Sequence, residues 1–200
     1  MKNVVIFGGT FNPLHIGHIQ IISALSNLHD IHEVMLIPDK IPPHKECDFL
    51  ASDEHRLNMC KIAAKKFPNV SVNDIELKRN GKSFTIDTVK DINRLYPDYN
   101  LFLAIGGDML ISFDKWKDYK ELLSLCQIIC LGRGGVDKEA FSKMTKTLEE
   151  MGGKMLVLNK EITEISSSLL RTNIQNKDFL SKYIDREILD YIFKNKVYGV

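Results

Sequence analysis

A junction between a predicted strand and a predicted helix near the start of the chain constrains the fold more than any other feature. Residues 4–7 are apolar and rich in β-branched side chains, which is typical of a buried strand, and they end at Gly8-Gly9. Asn12-Pro13 then predicts a turn, and beyond it apolar residues recur at helical spacing. A helix that begins above the end of a strand presents unpaired backbone N–H groups, which favours the binding of a phosphate group.

Strand and helix patterns go on alternating along the chain, with no linker, repeat or low-complexity tract. Further strands are predicted at residues 33–37, 100–105, 126–131 and 155–158. Helices are predicted to begin at residues 53 and 85, to span residues 138–151, and to follow Ser168 and Asp185. Residues 39–52 are predicted to form a loop, and residues 70–77 a short strand pair element.

This alternation predicts an α/β fold in a single domain that spans residues 1–200. Strands that alternate with helices form a parallel sheet with helices on both faces, here a Rossmann-like, doubly wound arrangement. In such open sheets the ligand lies beyond the carboxyl ends of the strands. Three predicted strands end at glycines, namely Gly8, Gly106 and Gly132, so we expect these three ends to line one crevice.

Composition and charge limit the kinds of partner. The chain has 200 residues and a formal net charge of +1, which gives no electrostatic basis for binding long nucleic acid or a membrane surface. Its 4 cysteines form no disulfide framework in a chain of this length, so reduced thiols and a cytoplasmic location are expected. No apolar run approaches the roughly 18 residues of a membrane span. We therefore expect small-molecule partners, no nucleic acid and no membrane, in a monomer or a homo-oligomer.

The chemistry of the first junction depends on two histidines. His15 and His18 are three residues apart, so in the first helical turn they project from one face and can both donate hydrogen bonds to anionic oxygens. Gly17 between them lets a ligand or a second backbone come close. The G-x-G-x-x-G and Walker patterns are absent. The pair could instead cap a helix or supply two zinc ligands, but no third ligand stands at a recognisable spacing.

The run G-G-T-F-N-P-L-H-I-G-H, residues 8–18, resembles the H-x-G-H signature of the nucleotidyltransferase superfamily, whose members transfer a nucleoside monophosphate unit to a phosphate. A second run, I-S-S-S-L-L-R at residues 165–171, resembles the I-S-S-T-x-I-R element with which the same superfamily holds the triphosphate. The serines also predict a helix cap, and Arg171 adds a fixed positive charge one turn later. A plain capped surface helix is the alternative interpretation.

Two further runs are similar to elements of the nicotinate-nucleotide adenylyltransferase family. Residues 106–116 resemble its G-x-D-x-x-x-x-F-x-x-W element, in which the tryptophan stacks on the nicotinate ring and the aspartate lies near the nucleotide. Trp116 stands among charged residues, where an indole suits stacking on a cationic ring better than burial. Residues 83–88 resemble the S-x-T-x-D-T element, and Thr85 is predicted to cap a helix whose N–H groups could receive a carboxylate. Capping alone is the alternative.

Other matches and departures concern single loops. Pro42-Pro43-His44-Lys45 matches the family's P-P-H-K loop, and Lys45 could reach a phosphate or simply be solvated. Arg133, at a strand end, is placed for phosphate contact, although Gly134 follows it where family members typically have proline. Asn12 stands at a position where aspartate is common in the family. This chain therefore lacks a negative charge that family members carry near the phosphates. Arg56, in the helix that follows the P-P-H-K loop, is a weaker candidate for phosphate contact than Lys45.

The resemblance, which covers residues 8–171, implies transfer of the adenylyl group of ATP to nicotinate mononucleotide, with Mg²⁺ bound alongside ATP and no residue assigned as a metal ligand. It implies that His15, His18 and Arg171 are catalytic and that Thr85 and Trp116 bind the nicotinate nucleotide. The ATP and phosphate contacts implied are Gly8, Gly9, Thr10, Phe11, Lys45, Gly106, Asp108, Arg133, Ser166, Ser167 and Ser168. The alternatives are another enzyme of the superfamily, such as a pantetheine-phosphate adenylyltransferase or a cytidylyltransferase, and a non-catalytic protein that senses dinucleotides.

Overall fold

The computed structural model describes residues 1–40, 49–131 and 136–200. Six strands form one sheet: β1 (Lys2–Gly9), β2 (Glu33–Pro38), β3 (Val70–Val72), β4 (Tyr99–Gly106), β5 (Gln127–Leu131) and β6 (Met155–Leu158). Their order across the sheet is β3-β2-β1-β4-β5-β6, and every neighbouring pair is parallel. The chain moves from β1 outward to β2 and β3, then returns to the other side of β1 with β4. The topological switch point therefore lies between the carboxyl ends of β1 and β4, where open sheets of this kind bind ligands.

Ten α-helices are found in the described ranges. They are α1 (Ile16–Ser26), α2 (Asp53–Ala64), α3 (Ile75–Lys78), α4 (Thr85–Leu95), α5 (Gly107–Ile111), α6 (Tyr119–Leu125), α7 (Lys138–Glu150), α8 (Ser167–Thr172), α9 (Lys177–Leu180) and α10 (Arg186–Lys194). Short 3₁₀ turns follow at Phe113–Lys115 and Val197–Gly199. Across these same ranges, no helix has the length and apolar character that a bilayer span requires.

The helices cover both faces of the sheet, as predicted. Side chains alternate along β1, so Val5 and Phe7 enter one buried apolar cluster with α1, α2 and α10, while Val4 and Ile6 enter the opposite cluster with α4 and α6. Both clusters bury residues that are fully excluded from solvent. The Rossmann-like, doubly wound architecture expected from the sequence is confirmed.

The prediction of a strand pair element at residues 70–77 is wrong in its second half. Only Val70–Val72 is a strand, and Ile75–Lys78 is the short helix α3. Asn73 begins this turn, because its Oδ1 accepts a hydrogen bond from the backbone N–H of Ile75 at 3.0 Å. The short helix α9 was not predicted either, although its cap is visible in the sequence: Asn176 Oδ1 accepts from the N–H of Phe179 at 3.0 Å.

Candidate active site

A cavity of about 1280 Å³ opens at the carboxyl ends of the strands, at the switch point between β1 and β4. It exceeds the usual range for drug-sized ligands, roughly 300–1,000 Å³, and suits a nucleotide together with a second substrate. Apart from the weaker candidate Arg56, the predicted site residues in the described part of the chain all line this cavity: Gly8, Gly9, Thr10, Phe11, His15, His18, Thr85, Gly106, Asp108, Trp116, Ser166, Ser167, Ser168 and Arg171. Lys45, Arg133, Gly132 and the P-P-H-K run lie outside the described residues.

The glycines at the ends of β1 and β4 leave room where the strands meet the cavity. A Cβ on Gly106 would lie 2.6 Å from Asp108 Oδ1, so a side chain there would require the Asp108 carboxylate to move. The carboxylate of Asp108 therefore folds back over the end of β4. At the end of β1, a Cβ on Gly9 would lie 3.1 Å from the ring of Phe11. Phe11 is itself almost fully buried and has a positive φ of 48°.

His15 and His18 form a stacked pair at the start of α1. His15 is the N-cap residue and His18 lies in the first turn, with ring centroids 3.7 Å apart. The backbone N–H of His15 donates to His18 Nδ1 at 3.2 Å. Because a backbone N–H can only donate, His18 Nδ1 carries no proton, and the ring proton of the neutral form is on Nε2. The edge of Phe11 packs against the His18 ring at 5.2 Å and fixes its orientation.

The His15 ring is buried, with 7% of its surface exposed, and its Nδ1 has no hydrogen-bond partner. Burial lowers the pKa of His15 from 6.5 to about 4, because the charged imidazolium loses its hydration. Gly17 packs beside this ring, and a Cβ on it would lie 3.0 Å from the carbonyl oxygen of Thr163. The expectation that Gly17 allows a second backbone to come close is thus met by the segment between β6 and α8.

The C-terminal part of the chain holds the loop that follows β1. Arg171 donates from its guanidinium to the carbonyl oxygen of Asn12 at 2.8 Å, and Ser167 Oγ donates to the carbonyl oxygen of Pro13 at 3.0 Å. The N–H of Ile16 donates to the carbonyl oxygen of Tyr183 at 2.7 Å. Helix α8 thus contributes both a charged side chain to the cavity and part of the support for the loop.

The side chain of Asn12 is almost fully buried and makes three hydrogen bonds. Its Oδ1 accepts from the N–H of Ala51 at 3.0 Å and from the hydroxyl of Tyr198 at 2.8 Å, while its Nδ2 donates to the carbonyl oxygen of Phe49 at 3.2 Å. Burial raises the pKa of Tyr198, so this hydroxyl keeps its proton and remains a donor. Asn12 therefore joins the loop after β1 to two distant parts of the chain, residues 49–51 and Tyr198, a role that its position in the sequence motif does not indicate.

Thr85 and Trp116 line the same cavity from elements that flank β4. Thr85 is the first residue of α4, but it does not cap the helix as predicted: Phe84 is the N-cap residue, and it makes no side-chain cap bond. The N–H of Asp87 donates to the carbonyl oxygen of Phe84 at 3.1 Å, so the N–H groups of Thr85 and Ile86 are the ones left for other acceptors. Trp116 ends the 3₁₀ turn and is half-buried, with its ring 5.1 Å from that of Phe113. Trp116 packs on the core with one part of its indole while the rest lines the cavity.

Several residues that line the cavity are not predicted from the sequence. Glu76 of α3 is buried beside the cavity, and its carboxylate accepts a hydrogen bond from the Thr88 hydroxyl at 2.6 Å. Burial raises the pKa of Glu76. Lys117 and residues 159–165 also line the cavity. The latter could have been found, because a segment that follows the end of a parallel strand belongs to the ligand-binding edge of the sheet.

Arg56 is not a phosphate-binding residue in this structure. Its side chain is fully buried and donates to the carbonyl oxygens of Ala51 and Thr10 at 3.2 and 3.1 Å. It also lies 3.4 Å from the carboxylate of Asp39, whose other oxygen accepts from the hydroxyl of Thr10 at 2.8 Å. Arg56 therefore joins the ends of β1 and β2 to the start of α2.

The described residues contain no cluster of three or more histidine, cysteine, aspartate or glutamate side chains that could hold a metal ion by themselves. The cavity instead presents isolated carboxylates such as Asp108. This donor set fits Mg²⁺, which keeps several waters and is usually held by one or two carboxylates together with substrate phosphates.

Comparison with known proteins agrees with this geometry. Residues 6–173 match the family model described as cytidylyltransferase-like. A probable nicotinate-nucleotide adenylyltransferase of Carboxydothermus hydrogenoformans is 38% identical over 96% of this chain and 96% of the relative. A protein of the same description from Oceanobacillus iheyensis is 33% identical over 100% of this chain and 98% of the relative. The chain therefore belongs to the cytidylyltransferase-like family and, within it, to the nicotinate-nucleotide adenylyltransferases.

A solved structure supports the fold. The nicotinic acid mononucleotide adenylyltransferase of Plasmodium falciparum, complexed with NaAD, superimposes with a TM-score of 0.82 over 99% of this chain and 98% of that chain, at 24% identity. The same protein complexed with APC gives a TM-score of 0.81.

Proposed function

We propose that this chain transfers the adenylyl group of ATP to nicotinate mononucleotide and releases pyrophosphate, giving nicotinate adenine dinucleotide for the synthesis of NAD. The observation that carries the proposal is the layout of the cavity. Contacts tie the lining residues into two groups: the His15–His18 pair and α8 are joined through the loop that follows β1, and the segment of Trp116 is joined to the start of α4 through Lys117. One cavity thus offers a set of phosphate donors and a platform for a second, aromatic substrate. Residues 1–200 are proposed to form a single domain, because the two apolar clusters pack on opposite faces of the same sheet.

The phosphate-binding end is built from donors. His18 presents Nε2–H because its Nδ1 already accepts from the backbone. Arg171 is held in place by Asn12 and by Ser168, whose hydroxyl lies 3.2 Å from the guanidinium. Fixed donors of this kind stabilise the charge that develops on the phosphate oxygens as the bond to pyrophosphate breaks. His15 is neutral at pH 7 and contributes as a donor rather than as a cation.

No general base is needed for the reaction. The phosphate of nicotinate mononucleotide is ionised at neutral pH and can attack the α-phosphorus of ATP directly. Catalysis therefore rests on in-line positioning and on charge stabilisation. Lys45 and Arg133 are proposed to add positive charge around the same phosphates. Mg²⁺ bound with ATP would neutralise phosphate charge, and Asp108, one of the carboxylates that line the cavity, would help to hold it.

The part of the cavity proposed to bind nicotinate combines an aromatic ring for stacking with N–H donors for the substrate carboxylate. Trp116 is half-buried, and its ring packs against that of Phe113. The face of an indole attracts a cationic pyridinium ring. The first N–H groups of α4, beginning at Thr85, suit the carboxylate of nicotinate.

The two alternative functions, another enzyme of the superfamily and a non-catalytic sensor of dinucleotides, are tested with one panel of substrates. Pyrophosphate release is measured with ATP or CTP as donor, and with nicotinate mononucleotide, nicotinamide mononucleotide or phosphopantetheine as acceptor. The proposal expects fast release with ATP and nicotinate mononucleotide and identification of the dinucleotide as product. Turnover with phosphopantetheine or CTP instead would assign the chain to another branch of the family, and binding without turnover would make it a sensor.

A further inference from the structure

We propose that the side chain of Lys117 strengthens selectivity for the acid form of the mononucleotide, and that Asp87 holds this side chain beside the first turn of α4 until the substrate binds. The inference rests on the proposed function, because it assumes a nicotinate ring on Trp116. It adds a cation to the recognition of the carboxylate, which the helix N-terminus at Thr85 otherwise performs alone.

The first observation is the position of the ammonium group. Lys117 Nζ lies 3.2 Å from Asp87 Oδ2 and 3.3 Å from Asp87 Oδ1, and 4.7 Å from the centroid of the Phe84 ring. Phe84 is the N-cap residue of α4 and Asp87 lies in the first turn of that helix. The ammonium is therefore held beside the first turn of α4, next to Phe84 and Asp87, although Lys117 itself belongs to the segment that carries Trp116.

The second observation is the distribution of charge around the cavity. Among the described lining residues, lysine or arginine stands at three positions: Lys117, Lys160 and Arg171. Lys160 and Arg171 lie after β6 and on α8, with the phosphate-binding residues. Lys117 is thus the cation of this set that stands next to Trp116. The buried carboxyl group of Glu76 lines the cavity as well.

The ion pair is weak enough to exchange partners. The side chains of Lys117 and Asp87 are 43% and 36% exposed, and exposed pairs of this kind contribute little to stability. A substrate carboxylate that arrives beside Phe84 competes with Asp87 for the same ammonium. Lys117 then acts on the ligand, whereas Asp87 acts only by positioning Lys117.

The two partners of the pair therefore give opposite predictions. Lys117→Met removes the ion pair and the cation, whereas Asp87→Asn removes the ion pair and leaves the cation free. If Lys117 contacts the carboxylate, the first variant weakens binding of nicotinate mononucleotide about tenfold, as expected for a lost charged hydrogen bond, and the second leaves it unchanged or tighter. Lys117→Arg keeps the charge and restores selectivity. Lys115→Met removes a neighbouring lysine that does not line the cavity and serves as the matched control.

Binding is measured by the fluorescence of Trp116, since the chain has a single tryptophan. Dissociation constants for nicotinate and nicotinamide mononucleotide are determined for each variant without ATP. The proposal predicts that Lys117→Met affects the acid form only, with a change of less than about twofold for the amide. It is overturned if Lys117→Met leaves the ratio of the two constants unchanged, or if Lys117→Met and Asp87→Asn weaken both ligands equally, which would indicate a purely structural ion pair.

The same proteins are then assayed for pyrophosphate release with ATP. A wild-type protein that binds the acid selectively through Lys117 but releases no pyrophosphate would refute the proposed function and leave the selectivity role standing. Turnover with a selectivity that Lys117→Met does not alter would refute the role of Lys117 alone.

Discussion

The imidazole rings of His15 and His18 are stacked with their centroids 3.7 Å apart and their planes inclined by 28°. Two imidazolium cations at this distance would repel each other, and the N-terminus of α1 adds further positive potential. The arrangement is therefore stable with neutral rings, which agrees with the lowered pKa of His15. A neutral pair that donates through N–H groups binds a polyanion without first requiring protonation.

His18→Ala should lower kcat by about 10²–10³, because one donor to the developing charge is worth that much in comparable sites. His18→Gln places an amide N–H near the position of Nε2 and should retain more activity than the alanine variant. Steady-state kinetics at saturating substrates measure both, and thermal unfolding checks that each variant is folded. A folded His18→Ala protein with kcat within about threefold of wild type would refute the catalytic role.

Trp116→Ala should raise the KM for the mononucleotide about tenfold and leave the KM for ATP nearly unchanged, because stacking on a cationic ring contributes on the order of 1–2 kcal/mol. Trp116→Phe keeps an aromatic face and serves as the control. Loss of ATP affinity alone would place Trp116 at the adenine instead. Unfolding of the alanine variant would mean that its contact with Phe113 is a core contact.

The protonation of His15 predicts a dependence of stability on pH. Its pKa is about 4 in the folded protein and 6.5 when exposed, so its neutral form is favoured by folding. This contribution is fully present above pH 6.5 and is lost as the pH falls toward 4. The free energy of unfolding should lose about 2–3 kcal/mol more in wild type than in His15→Asn between pH 7.5 and 4.5. Urea denaturation in buffers without phosphate or sulfate measures this difference. Equal losses in both proteins would contradict the assignment.

Tyr198→Phe should lower the free energy of unfolding by about 1 kcal/mol, because it removes the buried hydrogen bond to Asn12 Oδ1 and leaves the other bonds of Asn12 in place. Urea denaturation with an unchanged m-value is the measurement. Equal stability of the variant and the wild type would show that Tyr198 does not support the loop.

The part of the site that could be predicted from the sequence is the part with local signals. An apolar run, a glycine pair and an Asn-Pro turn within residues 4–13 define the first junction, and Ser166 caps α8 by accepting from the N–H of Leu169. The strands were predicted for the same reason, because a buried parallel strand is apolar on both faces.

Errors occurred where tertiary contacts decide the structure. Helix α3 spans a single turn, and its Glu76 is held by Thr88, which lies 12 positions further along the chain. The support of Asn12 by Tyr198 joins positions separated by 186 residues, and no pattern of spacing can reveal such a contact. From the sequence alone, Lys117 is interpreted as a solvated charge. The fold places its ammonium group beside the ring of Phe84.

The ratio of kcat/KM for nicotinate mononucleotide to that for nicotinamide mononucleotide, measured for the wild-type protein with saturating Mg-ATP, tests the central claim most directly. Helix N–H groups at α4 stabilise a carboxylate, whereas an amide turns its own N–H₂ toward them and leaves donors unpaired. The account predicts that the acid is preferred by at least about 10²-fold. Equal efficiency for the two substrates, or a preference for the amide, would contradict it.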